Sequence, residues 1–138
     1  MRKIDVCMPI KIGYKILLPK NIYENKSDDL QISFICNKCM QTSNLLLSSQ
    51  GVDLLDNLFL IKKIIDKKDL ISNGIAKENS KIYSYLGELS IFPNLPALYN
   101  FIECSKCNTK YIIVFSVGES QPGRNIFFIG GIWNITYW

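Results

Sequence analysis

The chain of 138 residues contains no histidine. Histidine is the usual side chain for moving protons near neutral pH. Its absence excludes Ser-His and Cys-His nucleophile pairs, and with them the catalytic zinc sites built on imidazole. Arginine is scarce, with only Arg2 and Arg124. Nor is there a run of five like charges, since the densest basic patch, Lys62-Lys63 with Lys67-Lys68, is interleaved with Asp66 and Asp69. A basic stripe of the kind that tracks a nucleic-acid backbone is therefore missing. No window approaches the roughly 18 uncharged apolar residues of a membrane helix. Arg2 and Lys3 could open a secretory leader, but Asp5, Pro9, Lys11 and Lys15 cut the apolar stretch behind them, and no small-residue cleavage site follows. The expected location is cytoplasmic. Thiols stay reduced there, so paired cysteines read as metal ligands more readily than as disulfides.

What is present suits a single domain, 1–138, long enough to bury about 68–70% of the surface its unfolded chain exposes. Sixteen basic and 12 acidic residues leave a formal net charge of +4. Scattered lysines at that level serve solubility first. Residues 4–18 alternate as a strand, with Pro9 and Gly13 pointing to an edge position and a bulge. Residues 19–29 read as a polar loop and 31–35 as a short strand running into Cys36. Residues 45–51 fit either strand or helix. Leu54, Leu55, Leu58, Ile61 and Ile65 fall at helical spacing and predict a helix over 53–66. Residues 67–80 are polar, with an Asn73-Gly74 turn, and 82–92 fit a strand or a short helix before Pro93 and Pro96. The last third reads as a hairpin. Tyr111–Val117 is its first strand, Pro122-Gly123 suits the centre of a type II turn, and 126–137 returns with a bulge at Gly130-Gly131.

Chemistry is carried by the five cysteines. Cys36 and Cys39 form one C-x-x-C pair and Cys104 and Cys107 another, each where a strand ends in a tight turn. Two intervening residues let both thiolates of a knuckle face one ion, and two knuckles supply the four sulfurs of a closed structural zinc site. Lys38 and Lys106 precede the second cysteine of each pair and offset part of the thiolate charge. Asn108 follows the second pair, where a left-handed backbone is often needed and Asn tolerates it; Met40, after the first pair, tolerates it poorly. Buried core thiols, a redox C-x-x-C and iron in a four-cysteine site stand as the alternatives to zinc. Cys7, in an apolar strand, reads as a small buried residue outside the site.

This arrangement resembles the zinc ribbon family over residues 31–44 and 101–117. It departs in spacing: residues 40–103 lie between the knuckles, where the simple pattern has about 15–20. The resemblance implies an α+β fold, mostly antiparallel β-sheet, with a zinc-ribbon-like four-cysteine site and one helix inserted between the knuckles. It also implies structural Zn2+ on Cys36, Cys39, Cys104 and Cys107. A zinc deaminase is excluded, because it needs a histidine ligand and proline before the second cysteine pair, and Ile35 and Glu103 precede the pairs here.

Four thiolates fill the coordination sphere and leave no open position for water or substrate, so no catalytic residue is expected. Two functional classes follow. The first is a non-enzymatic, zinc-stabilised protein-binding module. Tyr83, Tyr85, Phe92, Tyr99, Phe101, Trp133, Tyr137 and Trp138 are residue types favoured at binding hot spots, although each except Trp138 is more often a core residue. The chain's size, the inserted knuckles and the segment Val117–Trp133 resemble small bacterial immunity proteins. That resemblance implies a cognate toxin as partner and toxin inhibition as function. The second class is a nucleic-acid-binding zinc ribbon, using Lys38, Lys106, Lys110 and Arg124 with nearby aromatics.

Overall fold

The run Tyr111–Val117 shows almost no polar alternation because the strand that contains it is covered on both faces. A computed structural model describes residues 10–16, 18, 22–25, 28–78, 89–92 and 95–137. Its main sheet has the order β1 (Ile10–Ile16), β10 (Arg124–Tyr137), β9 (Lys110–Gln121), β8 (Leu98–Glu103), β5 (Asp53–Leu54). A short β2 (Ile22–Asn25) continues the β1 edge along the first half of β10. All of these pairings are antiparallel. Over one face lies a separate hairpin, β3 (Asp29–Ile35) and β4 (Thr42–Ser48). Over the other lie α1 (Asn57–Leu60), α2 (Lys67–Ser72) and the small pair β6 (Lys77–Glu78) and β7 (Leu89–Ser90).

Side-chain parity divides the core accordingly. Tyr111, Ile113 and Phe115 point from β9 to the hairpin, where they meet Leu30, Ile32, Phe34, Leu45 and Leu47. Ile112 and Val114 point the other way, into Leu55, Leu58, Ile65, Leu70, Ile75 and Leu89. Along β10 the hairpin face holds Phe127 and Ile129 but then Ile132, and the opposite face holds Trp133 and Ile135. The change from odd to even numbers is the work of the expected bulge, since Ile129 pairs with Phe115 and Gly131 with Val114. One extra residue moves the following side chains to the other face, so the bulge keeps both faces of a 14-residue strand apolar where it needs to be.

The edge and turn expectations can be placed as well. β1 shifts register between Ile12 and Lys15. Gly13 sits there because any Cβ would meet the Asn134 amide, which accepts the Tyr14 N–H at 2.6 Å. Gly123 has φ +80°, as the second central residue of a type II turn requires. Of residues 45–51, the first four end strand β4 and 49–51 are bends, and Asn73-Gly74 turns with Gly74 at φ +71°.

The single helix expected over 53–66 is corrected. Leu54 is instead drawn into the main sheet opposite Leu98, which makes β5. Of 53–66 only Asn57–Leu60 is helical, and α2 lies in the stretch 67–80 read from the sequence as polar with an Asn73-Gly74 turn. The apolar stripe was real in part: Leu55, Leu58 and Ile65 are buried, but Ile61 is 71% exposed. Tertiary contacts, not helical period, hold this segment, as expected where no single piece is long enough to be stable as a helix alone. Lys63 turns the chain at φ 52°, and the Ile64 carbonyl accepts the Ile10 N–H at 2.7 Å. β2 falls inside the stretch 19–29 read as a loop. Residues 4–9, Pro93 and most of 82–92 lie outside the described residues. No helix among the described residues is long and apolar enough to cross a membrane.

Candidate metal centre

Each C-x-x-C pair forms the loop of a hairpin. β3 and β4 close around residues 36–41, with Ile35 paired to Thr42. β8 and β9 close around 104–109, with Glu103 paired to Lys110. The loops are built alike. In the first, the Cys36 N–H donates to the Gln41 carbonyl at 3.0 Å and the Met40 N–H to the Cys36 carbonyl at 3.0 Å. In the second, the Cys104 N–H donates to the Thr109 carbonyl at 2.9 Å and the Asn108 N–H to the Cys104 carbonyl at 3.0 Å. The amides of Lys38 and Lys106 each point at the first sulfur of their loop, at 3.4 Å. Met40 and Asn108 occupy the same left-handed position, φ 62° and 63°. The first knuckle therefore adopts the full turn even though its residue there is a poor fit.

Packing the two hairpins face to face brings the loops to one end of the molecule. All four Sγ atoms then lie within 4.8 Å of one another. Cys36 and Cys107 are 3.6 Å apart, and so are Cys39 and Cys104. These are free thiols, not disulfides. Four thiolates around a tetrahedral ion at Zn–S distances of about 2.3 Å stand about 3.8 Å from one another. The cluster fits that donor set, and the four cysteines can hold a metal ion. Cys36 and Cys104 are buried, Cys39 is half-buried and Cys107 is exposed. Cys7 lies outside the described residues.

Polar groups beneath the cluster fix its buried half. The Tyr111 hydroxyl sits 3.0 Å from the Cys36 sulfur, accepts the Asn37 N–H at 3.1 Å and donates to the Asn37 Oδ1 at 2.7 Å. Phe34 packs edge-on to the Tyr111 ring, at 5.3 Å between centroids. Buried Ser43 donates to the Cys104 sulfur at 3.3 Å and accepts the Ser105 N–H at 3.2 Å. The Thr109 hydroxyl lies 3.0 Å from the exposed Cys107 sulfur. The sequence reading passed over Ser43, Tyr111, Asn37 and Thr109. One signal was available: Ser43 occupies an inward position of a strand whose other inward residues are leucines, and a lone hydroxyl there needs a partner.

Electrostatics separate the sulfurs. Burial pushes the Cys36 thiol up, but the hydrogen bonds from Tyr111 and from the Cys39 and Lys38 amides outweigh it, and the thiol falls to about 6. At Cys39 the Gln41 amide lowers the value, but burial and the three neighbouring sulfurs prevail and push it up to about 12. Cys104 is lowered, chiefly by the Ser43 hydroxyl. Burial, then the Cys36 sulfur, hold Tyr111 above the ordinary tyrosine value. The hydroxyl therefore keeps its one proton, which the Asn37 Oδ1 or the Cys36 sulfur can accept.

Some of the aromatic candidates can also be placed. Tyr99 and Trp133 are buried core residues, whereas Phe92 and Phe101 are each 38% exposed. Phe92 stacks on Phe128 at 4.0 Å, and Phe101 meets Tyr99 edge-on at 5.3 Å. Tyr83, Tyr85 and Trp138 lie outside the described residues. No protein-family model matches the chain, and neither a curated protein nor a solved structure does. The zinc-ribbon and immunity-protein resemblances therefore rest on the residues alone.

Proposed function

We propose that the chain is a non-enzymatic protein-binding module whose four-cysteine centre holds structural zinc, and that it acts as an immunity protein that neutralises a bacterial toxin. The closed sulfur cluster carries the reading. Cys36, Cys39, Cys104 and Cys107 would complete the coordination of a tetrahedral ion, leaving no position at which substrate or water could be activated. Bound zinc would supply a cross-link between two hairpins far apart in sequence. The closed centre leaves the surface to carry function, and Phe101 is one exposed aromatic available to it, packed on Tyr99 with its ring centroid 5.9 Å from the Lys62 ammonium.

The nucleic-acid reading is weaker. Of its four cations, Lys110 is bound to Glu103 at 2.9 Å and Arg124 to Glu24 at 3.3 Å. Affinity capture of the tagged chain from its native host, with nuclease treatment and a salt series, separates the two. A nuclease-resistant protein partner supports the proposal. Recovery of nucleic acid that salt releases with a steep slope overturns it. Metal analysis of protein purified without added metal should give about one zinc per chain.

A further inference from the structure

Native sheets protect their edges with charge, bulges or brevity, because unpaired N–H and C=O groups recruit other strands. Most edges here follow the rule. β1 carries Lys11 and Lys15 and a register shift; β2 is four residues long and bears Glu24; β5 has only two residues. β4 follows none of these. It is seven residues long, pairs with β3 on one side, and no strand or hydrogen bond meets its other side among the described residues. From Cys39 to Val52 the chain has no charged residue, although a fifth of the whole is charged. On the solvent face of β4, Asn44 is exposed and Leu46 is 62% exposed.

We infer that β4 is a self-association edge, on which a second copy of this chain adds its own β4 antiparallel about a twofold axis. The neutrality of the strand is what selects a second copy. A twofold pairing sets each residue against a symmetry-related one from the same short strand, so any charge on it risks facing its like. With its centre at Leu45, the pairing sets Asn44 opposite Leu46 of the second copy, and Thr42 opposite Ser48, on the outer face. Ser43 and Leu47 face each other on the inner face. No charged group meets another, and the two hairpins become one four-stranded sheet. A seven-residue seam is small beside the roughly 1,600 Å² of a standard interface, so the dimer should be weak and concentration-dependent. The inference does not depend on which partner the chain binds.

Sedimentation velocity on the full-length, zinc-loaded chain should show the mass rising from 15.8 kDa toward double between low micromolar and millimolar concentration. Amide exchange should slow over Thr42–Ser48 across the same range. Two double variants test the register. Asn44→Lys with Leu46→Lys sets like charges opposite each other twice, and should raise the dissociation constant about tenfold or more. Asn44→Lys with Leu46→Glu sets opposite charges there and should stay within about threefold of the parent. It also controls for folding, since both variants alter the same two exposed positions. A chain that stays at 15.8 kDa overturns the inference. So does a dimer indifferent to the difference between the variants, or concentration-dependent protection that avoids β4.

Discussion

Cys107→Ser is the cleanest perturbation of the metal centre, because Cys107 is the exposed member of the cluster. Exposed substitutions away from any special feature change stability by only about ±0.5 kcal/mol. A large effect at this position therefore needs a role beyond packing. The metal would join Cys39 to Cys104, 65 residues apart, and Cys36 to Cys107, 71 apart. Treated as a covalent cross-link, closing a loop of that length removes about 4 kcal/mol of unfolded-chain entropy at 25 °C. For a domain of this size each kcal/mol moves the melting temperature by roughly 3–4 °C. Complete removal of zinc by chelator should then lower Tm by about 10–15 °C. Cys107→Ser leaves three thiolates and should give a large part of that fall. The assay is thermal unfolding followed by circular dichroism in a thiol reductant, before and after chelation. Before chelation the parent should melt well above the variant; after it, the two should coincide. Equal melting temperatures before chelation, or a difference that persists after it, would refute the cross-link argument.

Three further outcomes are expected. Zinc should be retained at pH 7 and released as the pH is lowered, because protons compete with the ion for the four thiolates, read with a colorimetric chelator. In the metal-free protein two of these thiols oppose each other: Cys36, held below its ordinary value near 9, adds stability that is lost as pH falls through about 6, whereas Cys39, pushed up to about 12, adds stability that is full below 9 and is lost as pH rises through about 12. Tyr111→Phe keeps the ring but leaves the buried Cys36 sulfur and the part-buried Asn37 without their hydroxyl, at a cost of about 1–3 kcal/mol in denaturant unfolding and with faster zinc loss; an unchanged release rate would remove Tyr111 from the centre. Met40→Asn places at the first knuckle the residue type found at the second, and should raise stability by about 0.5–1 kcal/mol with zinc content unchanged; a fall in stability would show that the Met40 side chain contributes contacts that offset its strain.

The parts legible in the sequence were those fixed by local chemistry. Pro122-Gly123 and Gly130-Gly131 announced a turn and a bulge because few residues tolerate the backbone required there, and the structure has both. The cysteine spacing announced two knuckles because two intervening residues suffice to turn both sulfurs the same way. The region 53–66 failed for the opposite reason. Its spacing was helical, but whether Leu54 joins a helix or pairs with Leu98 depends on a strand more than 40 positions away, which no window of the sequence contains. The supports of the centre were hidden in the same manner. Tyr111 looked like the first residue of an apolar strand, and only the packing of a second hairpin sets its hydroxyl beside Cys36.

Met40 shows where local reading stops and assembly takes over. By local rules it is the wrong residue for a left-handed position, costing roughly 1–2 kcal/mol against glycine, and this counted against the first knuckle. Yet φ at Met40 and Asn108 differ by only one degree, 62° against 63°, and the hydrogen bonds closing the two loops match within 0.1 Å. The strain is tolerated because the loop is fixed from outside. Residues 29–35 and 42–48 pair without a break on either side of it, and the buried faces of both strands are locked against Tyr111, Ile113 and Phe115. The turn closes whatever residue stands at its last corner. Hairpin packing that fixes both loops from outside would gather the four thiols with or without an ion. Such a centre should lose its ion without losing its β-structure, so chelation should leave the far-ultraviolet spectrum at low temperature nearly unchanged while the melting temperature falls. A chelated chain that loses its strand signal at low temperature would mean that the metal builds the hairpin pair and does not merely staple it.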